Sequence, residues 1–382
     1  MVLGDPRRDL HLIDGTRGVV VCKVEPQSGV GVTNERREVF PTRHNLMTGS
    51  IAEMKSDRYR CVIVGAGIAG LMAAKKLNES GAGVLVLDKG RGVGGRMATR
   101  RVGSWQFDHG AQSFTARNPE FKAFVKAWVE AGVARLWCQS FARHQSPGSD
   151  APDGFYCGVG GMTAIPKYLA TGLDVRLSST VVSVSAEDDG WKISTEDGRT
   201  FASDSIIITA PMPQTTALLQ NNHIDLPDDV SGQLRNIRYE RCIALLAGFD
   251  DSVEIPSPGG DYPDSDSVGW LADNHTKGVS GQPGALTLLA NPEFSDAQWD
   301  TADEEIVRMM IDSVGQIVTA EPQKTQVHRW RYSQPVTNYP EPFVLCKAPG
   351  LIALAGDGFT GEKLEGAALS GLGVADAILS AL

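Results

Sequence analysis

Hydrophobic and polar positions divide the chain into an irregular N-terminal stretch and a long patterned remainder. Up to residue 57 the chain mixes Pro, Arg and acidic residues around one short apolar run, Gly18-Val19-Val20-Val21, and shows no amphipathic period. Residues 1–57 are therefore expected to form a disordered extension, either a tail or an upstream translation product, with Met54 a natural start. Asp5, Asp9, Asp14, Glu25, Glu35 and Glu38 make the segment unlike an acid-poor organellar transit peptide.

The pattern sharpens at Cys61-Val62-Ile63-Val64, a continuous apolar run followed by glycines and then by helix-period positions at Leu71, Ala74 and Leu77. A second run, Val84-Leu85-Val86-Leu87, ends at Asp88. Strand, glycine turn, helix and strand in this order predict the βαβ unit of a parallel sheet. Later, Trp191-Lys192-Ile193-Ser194 and Arg199-Thr200-Phe201 flank Asp197-Gly198, a hairpin signal. Ser205-Ile206-Ile207-Ile208-Thr209-Ala210 stops at Pro211 and reads as a buried strand returning to the sheet. Residues 250–283 are rich in Asp, Gly, Ser and Pro and predict long loops, whereas Asp303 to Val318 predicts an amphipathic helix. Ile352-Ala353-Leu354-Ala355 is the last strand, and Gly366 to Leu382 a helix. The fold class is α/β: a Rossmann-type domain assembled from 58–116, 174–215 and 330–382, with an interleaved α+β substrate domain from 117–173 and 216–329.

Composition narrows the function. A net charge of -10 argues against a nucleic-acid binder, and 42 Gly among 382 residues imply many places of close backbone approach. The cysteines at 22, 61, 138, 157, 242 and 346 form no C-x-x-C pair and no metal-ligand spacing, so reduced, mostly buried thiols and no metal are expected. No run approaches the roughly 18 uninterrupted apolar residues of a membrane helix, and no apolar signal core precedes the first strand. A cytoplasmic location with no membrane partner is the expectation.

Gly65-Ala66-Gly67-Ile68-Ala69-Gly70 follows the first strand and opens a helix. Gly65 makes the turn, Gly67 lets backbone amides approach a pyrophosphate, and Gly70 allows close packing of helix and strand. Asp88 is placed to accept from ribose hydroxyls. The continuation Lys89-Gly90-Arg91-Gly92-Val93-Gly94-Gly95-Arg96 can wrap an anion, with Arg96 beside the phosphates, and is similar to the R-x-G-G-R element of the flavin amine oxidase superfamily. Gly356-Asp357 and the helix opening near Gly366 supply a distant second half-site. The superfamily likeness implies that Asp357 meets the ribityl or pyrophosphate region and that the helix N-terminus points at the flavin pyrimidine. FAD is thus the expected cofactor, bound non-covalently because no Cys lies between Gly356 and Leu382.

Four segments carry a closer resemblance: Asp88 to Met97, Asp108-His109-Gly110-Ala111-Gln112-Ser113-Phe114-Thr115-Ala116-Arg117, His328-Arg329-Trp330-Arg331-Tyr332, and Gly356-Asp357 with Leu364-Glu365-Gly366-Ala367. With them the chain from Tyr59 to Leu382 resembles the bacterial renalase-type flavoproteins, a branch of the amine oxidase superfamily, with the amine oxidase/p-hydroxybenzoate hydroxylase-like topology. The resemblance implies oxidation of 1,2- or 1,6-dihydro isomers of NAD(P)H to NAD(P)+, with O2 taking the electrons to give peroxide. It implies that Ala111 and Gln112 contact FAD and that Ser113 to Arg117 line the substrate side, Ser113 replacing an expected aromatic residue. Ile68, Ala69, Lys89, Val182, Glu365, Gly366 and Ala367 are counted with the cofactor side, and Trp330 with the substrate.

Phe114, Trp330 and Tyr332 either wall a substrate cavity or pack in a core; Arg117, Arg329 and Arg331 either meet a pyrophosphate or face solvent. No triad, carboxylate pair or metal cluster stands out, which suits hydride loss from a dihydropyridine, because that step needs no base. The alternatives are an amine oxidase or desaturase for an amine or isoprenoid-type substrate, and a flavin binder without turnover.

Overall fold

The computed structural model describes residues 58–141, 153–187, 190–250, 253, 255–347, 349–361 and 363–381, together with the backbone of 19–23. In chain order the first elements are β1 (Val19–Lys23), β2 (Arg58–Val64), α1 (Ile68–Glu79), β3 (Val84–Leu87), β4 (Thr99–Val102), β5 (Trp105–Asp108), α2 (Pro119–Glu130), β6 (Ala134–Cys138) and β7 (Phe155–Gly158). There follow α3 (Ala164–Ala170), β8 (Asp174–Arg176), β9 (Val181–Glu187), β10 (Gly190–Thr195), β11 (Thr200–Ile208), α4 (Met212–Asn221), α5 (Asp228–Arg235) and β12 (Tyr239–Gly248). The last third holds β13 (Gly260–Asp261), β14 (Val268–Asp273), β15 (Ala285–Ala290), α6 (Pro292–Ala297), α7 (Asp303–Ser313), β16 (Lys324–Pro335), β17 (Phe343–Lys347), β18 (Leu351–Leu354) and α8 (Lys363–Ala381).

The main sheet runs β1-β17-β18-β11-β2-β3-β8, with a β9–β10 hairpin attached to β11. Its centre is parallel: β2 pairs with β3 and β11, and β11 with β18. Alternation along these strands feeds two cores, as the pleat requires. Cys61, Ile63, Val86 and Ile207 pack on the face covered by α1 and α8, whereas Val62, Leu85, Leu87 and Ile208 pack on the face covered by α4, α5 and the hairpin. The Rossmann-type fold expected from the sequence is therefore present.

A second, antiparallel sheet runs β13-β14-β15-β12-β16, and its core is closed by α6 and α7. The expected boundary at 330 falls inside β16, which pairs with β12 as far as Pro335 opposite Tyr239. The second sheet accordingly extends past that boundary, because a strand end is fixed by its partner and not by its own composition.

One further expectation changes. Val19–Lys23, placed in a disordered extension, is a strand paired in parallel with β17; the rest of 1–57 lies outside the described residues. β17 otherwise leaves a row of backbone groups open at the sheet edge, and a β-branched run is suited to fill it. Helix α8, 19 residues long with a mean hydropathy of 1.3, is long and apolar enough to cross a membrane, although no run of uninterrupted apolar residues marks it. Its composition has a simpler cause in the main sheet's core, where Ala368, Val374, Ala375 and Ile378 are fully buried.

Candidate functional site

The β2–α1 turn is built by its glycines. Gly65 has φ +115°, and a Cβ there would lie 2.5 Å from Thr209 Oγ1. A Cβ on Gly70 would lie 2.0 Å from the Gly65 carbonyl oxygen, so side chains are excluded at both positions by the protein itself. Gly67, the N-cap of α1, differs: no protein atom lies within 4 Å of a Cβ placed on it. Open space in front of a helix N-terminus is what an approaching pyrophosphate needs. Ile68, Ala69 and Gly70 are buried on the core side of α1.

The other expected cofactor residues close around this turn mostly by bonding to one another. Asp88 accepts the Ala66 and Gly90 amides, both at 2.6 Å, so part of the capacity expected for ribose hydroxyls is used to shape the loop. Lys89 is exposed and donates to Gln214 Oε1 at 3.3 Å. Gly94 donates to the Ala66 carbonyl at 2.8 Å, which docks the R-x-G-G-R element on the glycine turn.

Arg96 is held by the protein itself. Its two terminal nitrogens grip the Asp357 carboxylate at 2.5 and 2.7 Å, and Nη1 also donates to the carbonyls of Tyr332 and Ser333. The planar guanidinium fork matches a carboxylate, so the two half-sites are joined to each other. The Arg96 pKa is raised: burial alone would lower it, but the Asp357 charge and hydrogen bond outweigh that. Tyr239, missed in the sequence, has its hydroxyl 3.4 Å from Asp357 Oδ1 and accepts the Met212 amide; burial above all, and then Asp357, push its pKa up.

Glu365 and Gly366 also take structural roles. Glu365 Oε1 accepts the backbone amides of Arg117 and Asn118 at 2.9 and 2.6 Å, because the start of α2 offers unpaired N–H groups. A Cβ on Gly366 would lie 2.4 Å from the Gly361 carbonyl carbon, and Ala367 is 6% exposed. Val182 lies on β9 with its side chain 48% exposed and its carbonyl accepting from Asn222.

Along the 108–117 run, Phe114 is core: it stacks on Tyr156 at 5.8 Å and meets Phe121 and Trp128 edge to face. Ala116 is 4% exposed in the same cluster. Both leave the substrate wall, because backbone bonds of Phe114 to Tyr156 in both directions turn that segment into the interior. Ser113 and Thr115 are half-buried, and the Arg117 side chain is exposed.

Ala111 donates to the Arg96 carbonyl at 2.8 Å. Gln112 is 7% exposed; its Nε2 donates to the carbonyls of Asp108 and Gly110, while Oε1 is buried without a hydrogen-bond partner. A buried acceptor left unpaired costs about 1–3 kcal/mol, so this atom calls for a donor such as a ligand N–H.

On β16, Arg329 binds Asp303 and the Trp299 carbonyl on the α7 side. The alternate residues His328, Trp330 and Tyr332 therefore face the opposite way, toward the cofactor elements. Trp330 donates to the His109 carbonyl at 2.7 Å, and its ring lies 5.1 Å from that of His109 and 4.3 Å from that of His328. Tyr332 meets Tyr239 edge to face. Burial, then the nearby Arg100 charge, lowers the pKa of His109 to about 3 and of His328 to about 4, so both rings are neutral at physiological pH. Nothing in their sequence positions marked the two histidines as neighbours, although both lie in the segments that carried the resemblance. Among the described residues no group of His, Cys, Asp and Glu could hold a metal ion.

The arrangement fits a flavin dinucleotide: an open Gly67 face, a glycine-rich loop docked beside it and the buried Gln112 oxygen in want of a donor. Comparisons agree. Residues 132–379 match the flavin containing amine oxidoreductase family, and residues 63–128 match an NAD(P)-binding Rossmann-like domain. The chain is similar to renalase from Mus musculus, 27% identical over 340 residues that cover 82% of this chain and 97% of that protein. It is also 28% identical to polyamine oxidase 4 from Oryza sativa subsp. japonica, over 178 residues covering 45% of this chain and 36% of that one. Among solved structures, a putative protoporphyrinogen oxidase from Exiguobacterium sp. 255-15 shares the fold at TM-score 0.64 and 14% identity, over 86% of this chain and all of that one. Putrescine oxidase bound to putrescine does so at TM-score 0.62 and 16% identity, over 85% and 99%.

Proposed function

The chain belongs to the flavin containing amine oxidoreductases, and from that premise we propose that it is a renalase-like oxidase of 1,2- or 1,6-dihydro-NAD(P), returning NAD(P)+. The observation that carries this reading is the commitment of the site's carboxylates. Asp88 holds backbone amides, Asp357 holds Arg96, Glu365 holds the start of α2, and Asp108 holds Lys277. A site for a cationic amine wants a free carboxylate to meet the charge and a base to remove a proton. Loss of hydride from a dihydropyridine needs neither, because the ring becomes an aromatic pyridinium with no proton removed at the reacting carbon. The whole-length likeness to renalase, against a partial one to polyamine oxidase, supports the same choice.

Bound flavin, held without a covalent link, supplies the two-electron acceptor, and O2 takes the electrons on to peroxide. The chain's part is positioning. The Gly67 face and the Lys89–Arg96 loop take the dinucleotide, Gln112 offers its acceptor, and the side of β16 that carries Trp330, Tyr332 and the neutral His328 ring covers the flavin side without an added positive charge at His328. Ser113, Thr115 and the exposed Arg117 remain the substrate contacts of the 113–117 run.

Anaerobic mixing tests the proposal. Each dihydro isomer is added to the flavin-loaded protein and bleaching of the flavin is followed, with air restoring the colour and releasing peroxide. Fast bleaching by a 1,2- or 1,6-isomer, and slow bleaching by 1,4-NAD(P)H, is expected. Fast bleaching by a di- or polyamine with no response to either isomer moves the assignment to amine oxidation.

A further inference from the structure

Lys277 is a lysine in the protein interior. It lies in the turn after β14, is 0% exposed, and sets its ammonium 2.9 Å from the equally buried Asp108 Oδ2, with the Trp137 ring 4.8 Å away. We propose that this ion pair is a positioning device for the cofactor: it fixes the Asp108–Gln112 run so that the Gln112 carboxamide oxygen meets an N–H of the flavin ring. The inference rests on Gln112 lying at the cofactor.

The polar groups of Asp108 are used throughout, and most of their partners come from outside its own hairpin. Oδ1 accepts the Thr99 hydroxyl at 2.6 Å and the Met162 amide at 2.9 Å; the Asp108 amide donates to Asn274 Oδ1 at 3.0 Å. Its carbonyl accepts from Thr287 at 2.9 Å and from Gln112 Nε2 at 2.7 Å. Lys277, Asn274 and Thr287 all belong to β14, β15 and the turn between them, so the second sheet holds this residue from one side.

From the other side the run is locked to the R-x-G-G-R element. Ala111 donates to the Arg96 carbonyl, and a Cβ on Gly110 would lie 2.1 Å from that same oxygen. Gln112 stands between the two anchors. Because both bonds of its Nε2 go to carbonyls, the amide can sit only one way round, and Oε1 is the end left over. Flavin carries a ring N–H to give it. Moving Asp108 moves the carbonyl that orients the carboxamide, which makes Lys277 a positioning residue for an atom it does not touch.

The test uses flavin-loaded protein and reads flavin dissociation constant, midpoint potential, visible spectrum and melting temperature. Gln112→Leu should weaken flavin binding about tenfold and alter the bound spectrum; no change in either would overturn the placement of Gln112 and the inference with it. Lys277→Met should change flavin affinity and spectrum in the same direction, and the double variant should bind flavin no more weakly than Gln112→Leu alone, since both act through one contact. If Gln112→Leu has its effect but Lys277→Met lowers only the melting temperature, the pair is structural glue and the inference fails. Should Lys277→Met not fold, Thr287→Val removes one bond to the Asp108 carbonyl and should shift flavin affinity two- to threefold, with no shift overturning the proposal.

Discussion

At the β2–α1 turn the backbone is positioned by what is missing, whereas at the seam between the two sheets it is positioned by charged side chains. Gly65, Gly67 and Gly70 act within six residues of one another, and each matters through a hydrogen where other residues carry a side chain. Arg96 and Asp357 are 261 residues apart, Asp108 and Lys277 169. The turn depends on local geometry, and at Gly65 and Gly70 the protein itself leaves no room for a side chain. The seam depends on pairs, and a pair fails by halves: removing one member strands the other.

That contrast breaks most sharply within the turn. Gly70→Val should prevent folding, because its Cβ would collide with backbone at 2.0 Å and has nowhere to go. Gly67→Val should instead fold and lose its flavin, since only the cofactor's space is invaded. Melting temperature of the apoprotein and flavin content of the purified protein separate the two outcomes. Equal flavin occupancy in Gly67→Val and the parent chain would remove the turn from the cofactor site.

At the seam, Arg96→Leu should cost about 2–3 kcal/mol, below the roughly 3–5 kcal/mol of a wholly buried pair because Arg96 keeps 29% of its side chain exposed. Adding Asp357→Leu should recover part of the loss, because no carboxylate is then left without a partner. Denaturant unfolding of the two single variants and the double measures the recovery, and strict additivity would mean that the pair does not act as a unit.

The same division decides what was legible in the sequence. The βαβ unit, the glycine turn and α8's place after the last strand follow from patterns a few residues long, and the structure has them where the pattern put them. The seam does not. Lys277 lies in a loop rich in Asp, Gly and Ser, where a lysine reads as solvated, and only the distant Asp108 makes it a core residue. Phe114 fits a substrate wall as well as a core by composition, and the bridge to Tyr156 decided between them. Arg96, Asp357 and Glu365 were recognisable as important, but the partner each would take depends on folds of chain hundreds of residues away.

Acid should expose the seam before the turn. In the folded state the pKa of His109 is near 3, below the ordinary 6.5, so between those values the unfolded chain binds the proton more readily. Stability therefore rises with pH through this window and falls as pH drops below about 6.5, at about 1.4 kcal/mol per unit. Relative to pH 7, His109 should account for about 2 kcal/mol of loss by pH 5, and His109→Phe should flatten the stability profile by that amount. Parallel profiles for the two proteins would show that the ring is not kept neutral by burial.

The smallest effect is expected at the edge of the main sheet, far from both the turn and the seam. The backbone of Val19–Lys23 pairs in parallel with that of Phe343–Lys347. Each backbone hydrogen bond contributes a net gain of about 1 kcal/mol, while ordering each residue of the strand costs about 1–2 kcal/mol. The two nearly cancel, so removing residues 1–57 should leave flavin content unchanged and the melting temperature within a few degrees. What the deletion does change is the edge: β17 loses its parallel neighbour and presents a row of unpaired N–H and C=O groups. Light scattering of the truncated protein should therefore rise with concentration more steeply than that of the full chain. A large fall in melting temperature on truncation would instead show that the first strand is bound to the sheet by more than its backbone.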